Sequence, residues 1–224
     1  MNRRKRRAFT YNIFHGNYAA LTKICAAVED IEIGLKLMSP TNEDNGTKAH
    51  MEVMRHFHNF LAAAKSLIDH TRVFVDHYYE GTSFKVSYAN KVKAELADVP
   101  LMRFINDLRN YMVHYGLPDG SMSLNVDNNP DTGEQRIETT VSIDKDKLLK
   151  WKKWSVESKQ FLNESQQRIK LSDLSDAYGK RVESFYAWFD DELMRYHKKD
   201  IEVFKKLQSA YAKASAKTDK LPKL

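Results

Sequence analysis

The chain has 224 residues, 42% of them hydrophobic and 29% charged, with only eight Gly and five Pro; long regular elements, mostly helical, are expected over turn-rich β structure. Its single cysteine, Cys25, excludes a disulfide framework and a cysteine-based zinc site, and points to a reducing compartment. The formal charge of +6 sits at the ends: residues 1–7 carry Arg3, Arg4, Lys5, Arg6 and Arg7 without an acid, residues 198–224 carry eight Lys against Asp200, Glu202 and Asp219, and the body between them is acidic.

The N-terminal run is expected to be a solvated arm over 1–16 that touches RNA non-specifically. Arg6-Arg7-Ala8-Phe9 is a poor export signal, because Tyr11, Asn12, His15, Gly16 and Asn17 interrupt the place of an apolar segment. No stretch approaches the ~20 apolar residues of a membrane span. A soluble, cytoplasmic protein with no membrane partner is therefore expected.

Leu21, Ile24, Val28, Ile31, Leu35 and Met38 recur at three- and four-residue steps and predict an amphipathic helix that ends at Ser39-Pro40. Met54, Phe57, Leu61, Ala64, Ile68 and Tyr78 mark a second, longer helix that stops at Gly81, and the two should pack antiparallel. A shorter helix is expected over 84–97. Asp98-Val99-Pro100 then supplies a cap and a first-turn proline for a helix that runs to Gly116-Leu117-Pro118.

The period then changes. Met122, Leu124 and Val126 alternate with polar residues, as do Ile137, Val141 and Ile143, around the turn-rich run 127–133, which predicts a β-hairpin insertion at 119–143. Asp144 caps a helix carrying Leu148, Trp151, Trp154 and Phe161, and another starts at Ser172-Asp173. Its stripe, from Tyr178 to Tyr211, would extend about 60 Å if unbroken, so it either breaks near 197–200 or extends along a partner. The organisation expected is a basic arm (1–16), an all-α up-and-down helical domain with one inserted hairpin (17–197), and a basic helix end and tail (198–224).

The helix from Pro100 to Gly116 is the one with chemistry. At about 100° per residue, Leu101, Phe104, Ile105, Leu108, Tyr111, Met112 and Tyr115 gather on a core face, while Arg103, Asp107, Asn110 and His114 form a polar stripe opposite. Arg109 stands on the shoulder between them, within reach of the stripe through its long side chain. A histidine in the last turn meets the negative end of the helix dipole, with Asp107 two turns back, an arrangement suited to a general acid. An arginine nearby is the preferred fork for phosphate. Any surface helix also shows polar residues opposite an apolar stripe, so spacing alone equally describes a solvated face.

Arg109-Asn110-Tyr111-Met112-Val113-His114 resembles the signature of the HEPN superfamily: an arginine followed by a polar residue, with a histidine four to six residues on, near the end of a helix in an up-and-down bundle. The resemblance spans roughly residues 17–116, with the later helices completing the bundle. It implies a metal-independent RNA endonuclease of the kind found among toxins and antiviral effectors, needing no cofactor, in which two protomers join their motifs in a homodimer. Carried over, Arg109 would stabilise the scissile phosphate, His114 would act in proton transfer, Asn110 would support the pair, and Asp107 and Arg103 would flank them. The products implied are a 2′,3′-cyclic phosphate and a 5′-hydroxyl; partners implied are RNA and an antitoxin or sensor protein. Other members of the superfamily are inactive modules that bind RNA, nucleotides or proteins, and this is the alternative reading.

His50, His56, His58, His70 and His77 lie on or near the second helix, but His56 and His58 diverge by about 160° on a helix and no Glu-x-x-His pair accompanies them, so no metal site is expected. Trp151, Trp154 and the neighbouring aromatics read as core; Lys150, Lys152 and Lys153 beside them form a secondary candidate RNA-facing patch. The hairpin and the long C-terminal helix are expected to modify dimerisation or substrate access.

Overall fold

Two long antiparallel helices form the frame of the computed structural model, which describes residues 3–128 and 135–218. Helix α1 (Arg3–Glu29) lies along α3 (Glu43–Tyr79), burying Phe14, Leu21, Cys25 and Val28 against Val53, Phe57, Phe60, Ala64 and Leu67. Of the apolar steps read in the sequence, Leu21, Val28, Met54, Phe57, Leu61 and Ala64 lie on the buried faces of these helices, whose burial supplies most of the helical stability, whereas Ile31 and Leu35 are exposed. Helix α8 (Leu171–Tyr196) closes the bundle through Tyr178, Val182, Phe185 and Phe189. Helix α4 (Ser83–Val92) continues into a π-helical turn, Lys93–Ala97, and α5 (Pro100–His114) packs against α3 on one side. Among the described residues the fold is mostly helical, and no helix is long and apolar enough to cross a membrane.

The expected basic arm is not separate from the domain. Residues 3–16 are the first turns of α1; Phe14 is fully buried beside Phe60 and Tyr178, and Thr10 Oγ1 pairs with His70 Nδ1 at 3.0 Å. The first predicted helix also breaks: Asp30 leaves helical geometry and its side chain accepts from the Glu32 and Ile33 N–H groups, both at 3.1 Å, starting α2 (Ile31–Leu37). This turn docks Gly34 on Thr139 of the sheet, where a Cβ would lie 2.5 Å from Thr139 Cγ2. Only a residue without a side chain permits that approach.

The hairpin forms from β1 (Gly120–Asn128) and β2 (Gln135–Asp144), in the register Met122 to Val141, Leu124 to Thr139 and Val126 to Ile137. Its turn, within the expected run 127–133, lies largely outside the described residues. A short strand the sequence did not announce, β3 (Arg168–Lys170), pairs antiparallel with β2. The sheet base is buried through Val141, Ile143 and Ile169, while Leu124, Val126 and Ile137 project beyond the core.

The helix expected from Asp144 through Phe161 is two helices. Asp144 does cap α6 (Lys145–Leu149), but the chain then turns and restarts at α7 (Val156–Glu164), capped by Ser155. Trp154 Nε1 donates to the Leu148 carbonyl at 2.8 Å, satisfying a helix-end acceptor, so the indole fixes the turn rather than extending the helix. The long final helix breaks at His197 into α8 and α9 (Lys198–Thr218), within the window the sequence indicated. His197 is held there by Tyr79 Oη at 2.9 Å and Asp200 Oδ2 at 3.0 Å. Helix α9 exposes Val203, Phe204, Leu207 and Tyr211.

Candidate functional site

Helix α5 begins with Pro100 in its first turn, where a missing N–H costs nothing. The N-cap is Val99 rather than the expected Asp98, whose N–H instead bonds the Lys93 carbonyl to close the preceding π turn. At the other end the Tyr115 and Gly116 N–H groups both reach the Tyr111 carbonyl, at 2.8 and 3.2 Å. Gly116 has φ +148°, which turns the chain away and leaves His114 in the last turn of the helix.

The core face is as the helical projection gave it through Phe104, Ile105, Leu108, Tyr111 and Met112, with Met102 added and Tyr115 left exposed. The polar stripe, however, is not one surface. Asp107 is buried: its Oδ2 accepts from Ser155 N–H at 3.1 Å and from Ser158 Oγ at 2.8 Å, so it anchors the start of α7. Arg103 Nε lies 3.8 Å from Asp107 Oδ1, with its side chain nearly half in solvent. The physical reason is that α5 is covered on two sides, by α3 and by α7 with its Trp layer, and the free N–H groups at the α7 start draw a carboxylate inward. Phe104 and Tyr111 both stack on Trp154, at 5.4 and 5.8 Å, which places the tryptophans in this packing layer. The Ser155-x-x-Ser158 spacing was the signal in the sequence for a helix start at this point.

What remains open is a sector holding Arg103, Asn106, Asn110, Val113 and His114, with Arg109 half-buried at its margin. Arg109 Nη1 donates to Asn110 Oδ1 at 3.4 Å, so the Arg-Asn pair is joined within the chain. His114 is exposed and makes no hydrogen bond or ion pair among the described residues. Five positions separate Arg109 from His114, a divergence of about 140° and a rise of about 7.5 Å, so the two do not converge on one atom by helix geometry alone. Around His114 the surface is apolar: Val113, Tyr115 and Leu117 are 51, 60 and 62% exposed.

The remaining candidates lie apart from this helix end or on its margin. Arg3, Arg4, Lys5, Arg6 and Arg7 form the first turns of α1. Lys150, Lys152 and Lys153 are exposed in the turn between α6 and α7, beside the buried Trp151 and Trp154. Of the histidines on α3, His70 is bound to Thr10 and His56 Nε2 contacts Glu52 and Arg55, while His50 rests against Gly120. Among the described residues no three His, Cys, Asp or Glu side chains gather in a way that would hold a metal ion.

Compared with protein-family models, curated proteins and solved structures, the chain matches none.

Proposed function

We propose that the chain is a homodimeric, metal-independent endoribonuclease whose composite site pairs Arg109, Asn110 and His114 of two copies. One observation carries this reading: the joined Arg109–Asn110 pair and a free, exposed His114 occupy one helix end, ringed by Val113, Tyr115 and Leu117, apolar side chains that a second copy would cover. Since Arg109 and His114 diverge within a protomer, a two-fold contact at this end supplies the missing convergence. It also provides two imidazoles where one chain has one.

In the reaction, the ribose 2′-oxygen attacks the adjacent phosphorus. The 2′-O–P bond forms as the P–O5′ bond breaks, giving a 2′,3′-cyclic phosphate and a 5′-hydroxyl. One His114 accepts the 2′-hydroxyl proton, and the second copy's His114, protonated, donates to the departing 5′-oxygen. Arg109 places positive charge and two donors on the non-bridging oxygens, where negative charge grows in the transition state. Asn110 holds the guanidinium in position. The resemblance casts such an enzyme as a toxin or antiviral effector with an antitoxin or sensor protein as its further partner, and the single cysteine suits a reducing, cytoplasmic setting.

The test is incubation with single-stranded RNA in excess chelator, comparing the unmodified protein with Arg109→Ala and His114→Ala. Each substitution is expected to lower cleavage by at least about 100-fold, the scale of a lost acid–base or charge-stabilising group. Cleavage unchanged in both variants removes this helix end from the reaction.

A further inference from the structure

A cavity of about 230 Å3 opens between α3, α4, the π turn, α5 and α8, on the same side of α5 as the open sector that carries Asn110 and His114. Met102, Arg103 and Asn106 contribute its α5 wall, and Val92, Leu96 and Ala97 line it from the π turn and the end of α4. A π turn is a costly irregularity that recurs where a helix must make room for function, and here it borders the opening.

The lining has two characters. Its interior is aromatic, with Tyr88, Tyr178, Phe185 and Tyr186; burial pushes the Tyr88 phenol up to about 12, so this surface stays neutral. Tyr178, Phe185 and Tyr186 are buried and form its floor, with the Tyr186 hydroxyl engaged with Thr71, so the half-buried Tyr88 presents the accessible ring. Its rim is cationic: Lys65, Arg72 and Arg103 stand against one lining carboxylate, Asp69, which Lys65 meets at 2.7 Å and Arg72 at 3.4 Å. Between rim and interior, the half-buried Asn106 amide makes no hydrogen bond among the described residues, leaving its donor and acceptor free.

We infer that this cavity takes one unstacked nucleobase, with the phosphate attached to it held at the Lys65, Arg72 and Arg103 rim. The volume falls below the ~300 Å3 at which sites for drug-sized ligands begin, so a single ring system enters while sugar and phosphate stay outside. The Tyr88 ring above an aromatic floor suits a π-face of any base, and one free amide suits its polar edge. Asn106 lies one helical turn, about 6 Å, before Asn110, which puts a base held here within a few nucleotides of a phosphate at Arg109. The ligand class follows from the lining itself; only this position relative to the cut rests on the ribonuclease reading. Its consequence is specificity for single-stranded RNA, since a paired base cannot leave its stack to enter without a penalty.

The test measures affinity in a His114→Ala background, which keeps RNA intact. Three probes are used: an eight-residue oligoadenylate, the same backbone carrying abasic sites, and free AMP. Ala97→Trp blocks the exposed rim, and Asn106→Leu removes the amide without opening the core; far-UV circular dichroism and urea unfolding verify that both fold. The oligoadenylate is expected to bind about tenfold more tightly than its abasic counterpart, and each pocket variant should abolish that difference. AMP binding lost in the pocket variants, with oligoadenylate and abasic RNA bound alike, also upholds the base site and assigns it to free nucleotides. Probes that bind equally to the pocket variants and their parent overturn the proposal. The chelator assay on Arg109→Ala is read separately, so an inactive enzyme that still binds a base here would refute the ribonuclease reading and leave the cavity's ligand standing.

Discussion

Asp107 and His114 lie seven positions apart on α5, and the fold gives them different work. Asp107 accepts from Ser155 N–H and Ser158 Oγ in a buried setting, whereas His114 faces solvent. Truncating Asp107 leaves a backbone donor and a hydroxyl inside without their partner, a loss of about 1–3 kcal/mol. Removing His114 takes away no hydrogen bond or ion pair among the described residues and should change stability by less than about 0.5 kcal/mol. Urea unfolding of Asp107→Ala and His114→Ala checks this contrast, and an Asp107→Ala protein as stable as its parent contradicts the assignment. The helical projection grouped the two because it assumes one core face. A helix covered on two sides hides one flank of its polar stripe, and only the α7 contact shows which flank.

At the scale of elements, the join between helix and sheet turns on Gly34. Its Cβ position is occupied to within 2.5–2.7 Å by Thr139 Cγ2, Oγ1 and Cβ, and Thr139 Oγ1 donates to the Val28 carbonyl at 3.3 Å. Gly34→Ala gains helix propensity of about 1 kcal/mol, but it forces α2 off the sheet at a cost of about 1–3 kcal/mol. A fall in Tm of a few degrees is expected, and pairing it with Thr139→Ala should give a double variant less destabilised than the sum of the two. A higher Tm for Gly34→Ala would show that the approach is not tight. Helix limits were legible in the sequence where Pro and Gly mark them, as at Pro100, Gly81 and Gly116. They were not legible at Asp30, because Ile31, Leu35 and Met38 continue the apolar steps of α1 through a break that docking on the sheet imposes. The same holds for Trp151 and Trp154, whose three-residue spacing looks helical while the Trp154 indole closes a turn.

At the scale of the whole molecule, the mostly helical fold with its hairpin followed from composition and periodicity, since few glycines and a single change of period leave little choice. The short strand β3 did not, because three residues carry no period and depend on β2 for pairing. The charge distribution has also changed meaning: the basic N-terminal run begins the helix that builds the core, and the described part of the basic C-terminal run, 198–218, forms α9, which exposes Val203, Phe204, Leu207 and Tyr211. In the candidate site, the Arg109, Asn110 and His114 positions were legible from sequence, whereas the cavity beside Asn106 was not, because its walls come from four helices and a π turn distant in the chain.

The central claim is that this helix end cleaves RNA by attack of the neighbouring 2′-hydroxyl. Mass spectrometry of the new RNA ends, after reaction in excess chelator, tests it most directly. The account predicts a 2′,3′-cyclic phosphate on one fragment and a 5′-hydroxyl on the other, both missing with His114→Ala. Fragments ending in a 3′-hydroxyl and a 5′-phosphate, or the same cyclic ends from His114→Ala at an undiminished rate, would contradict it.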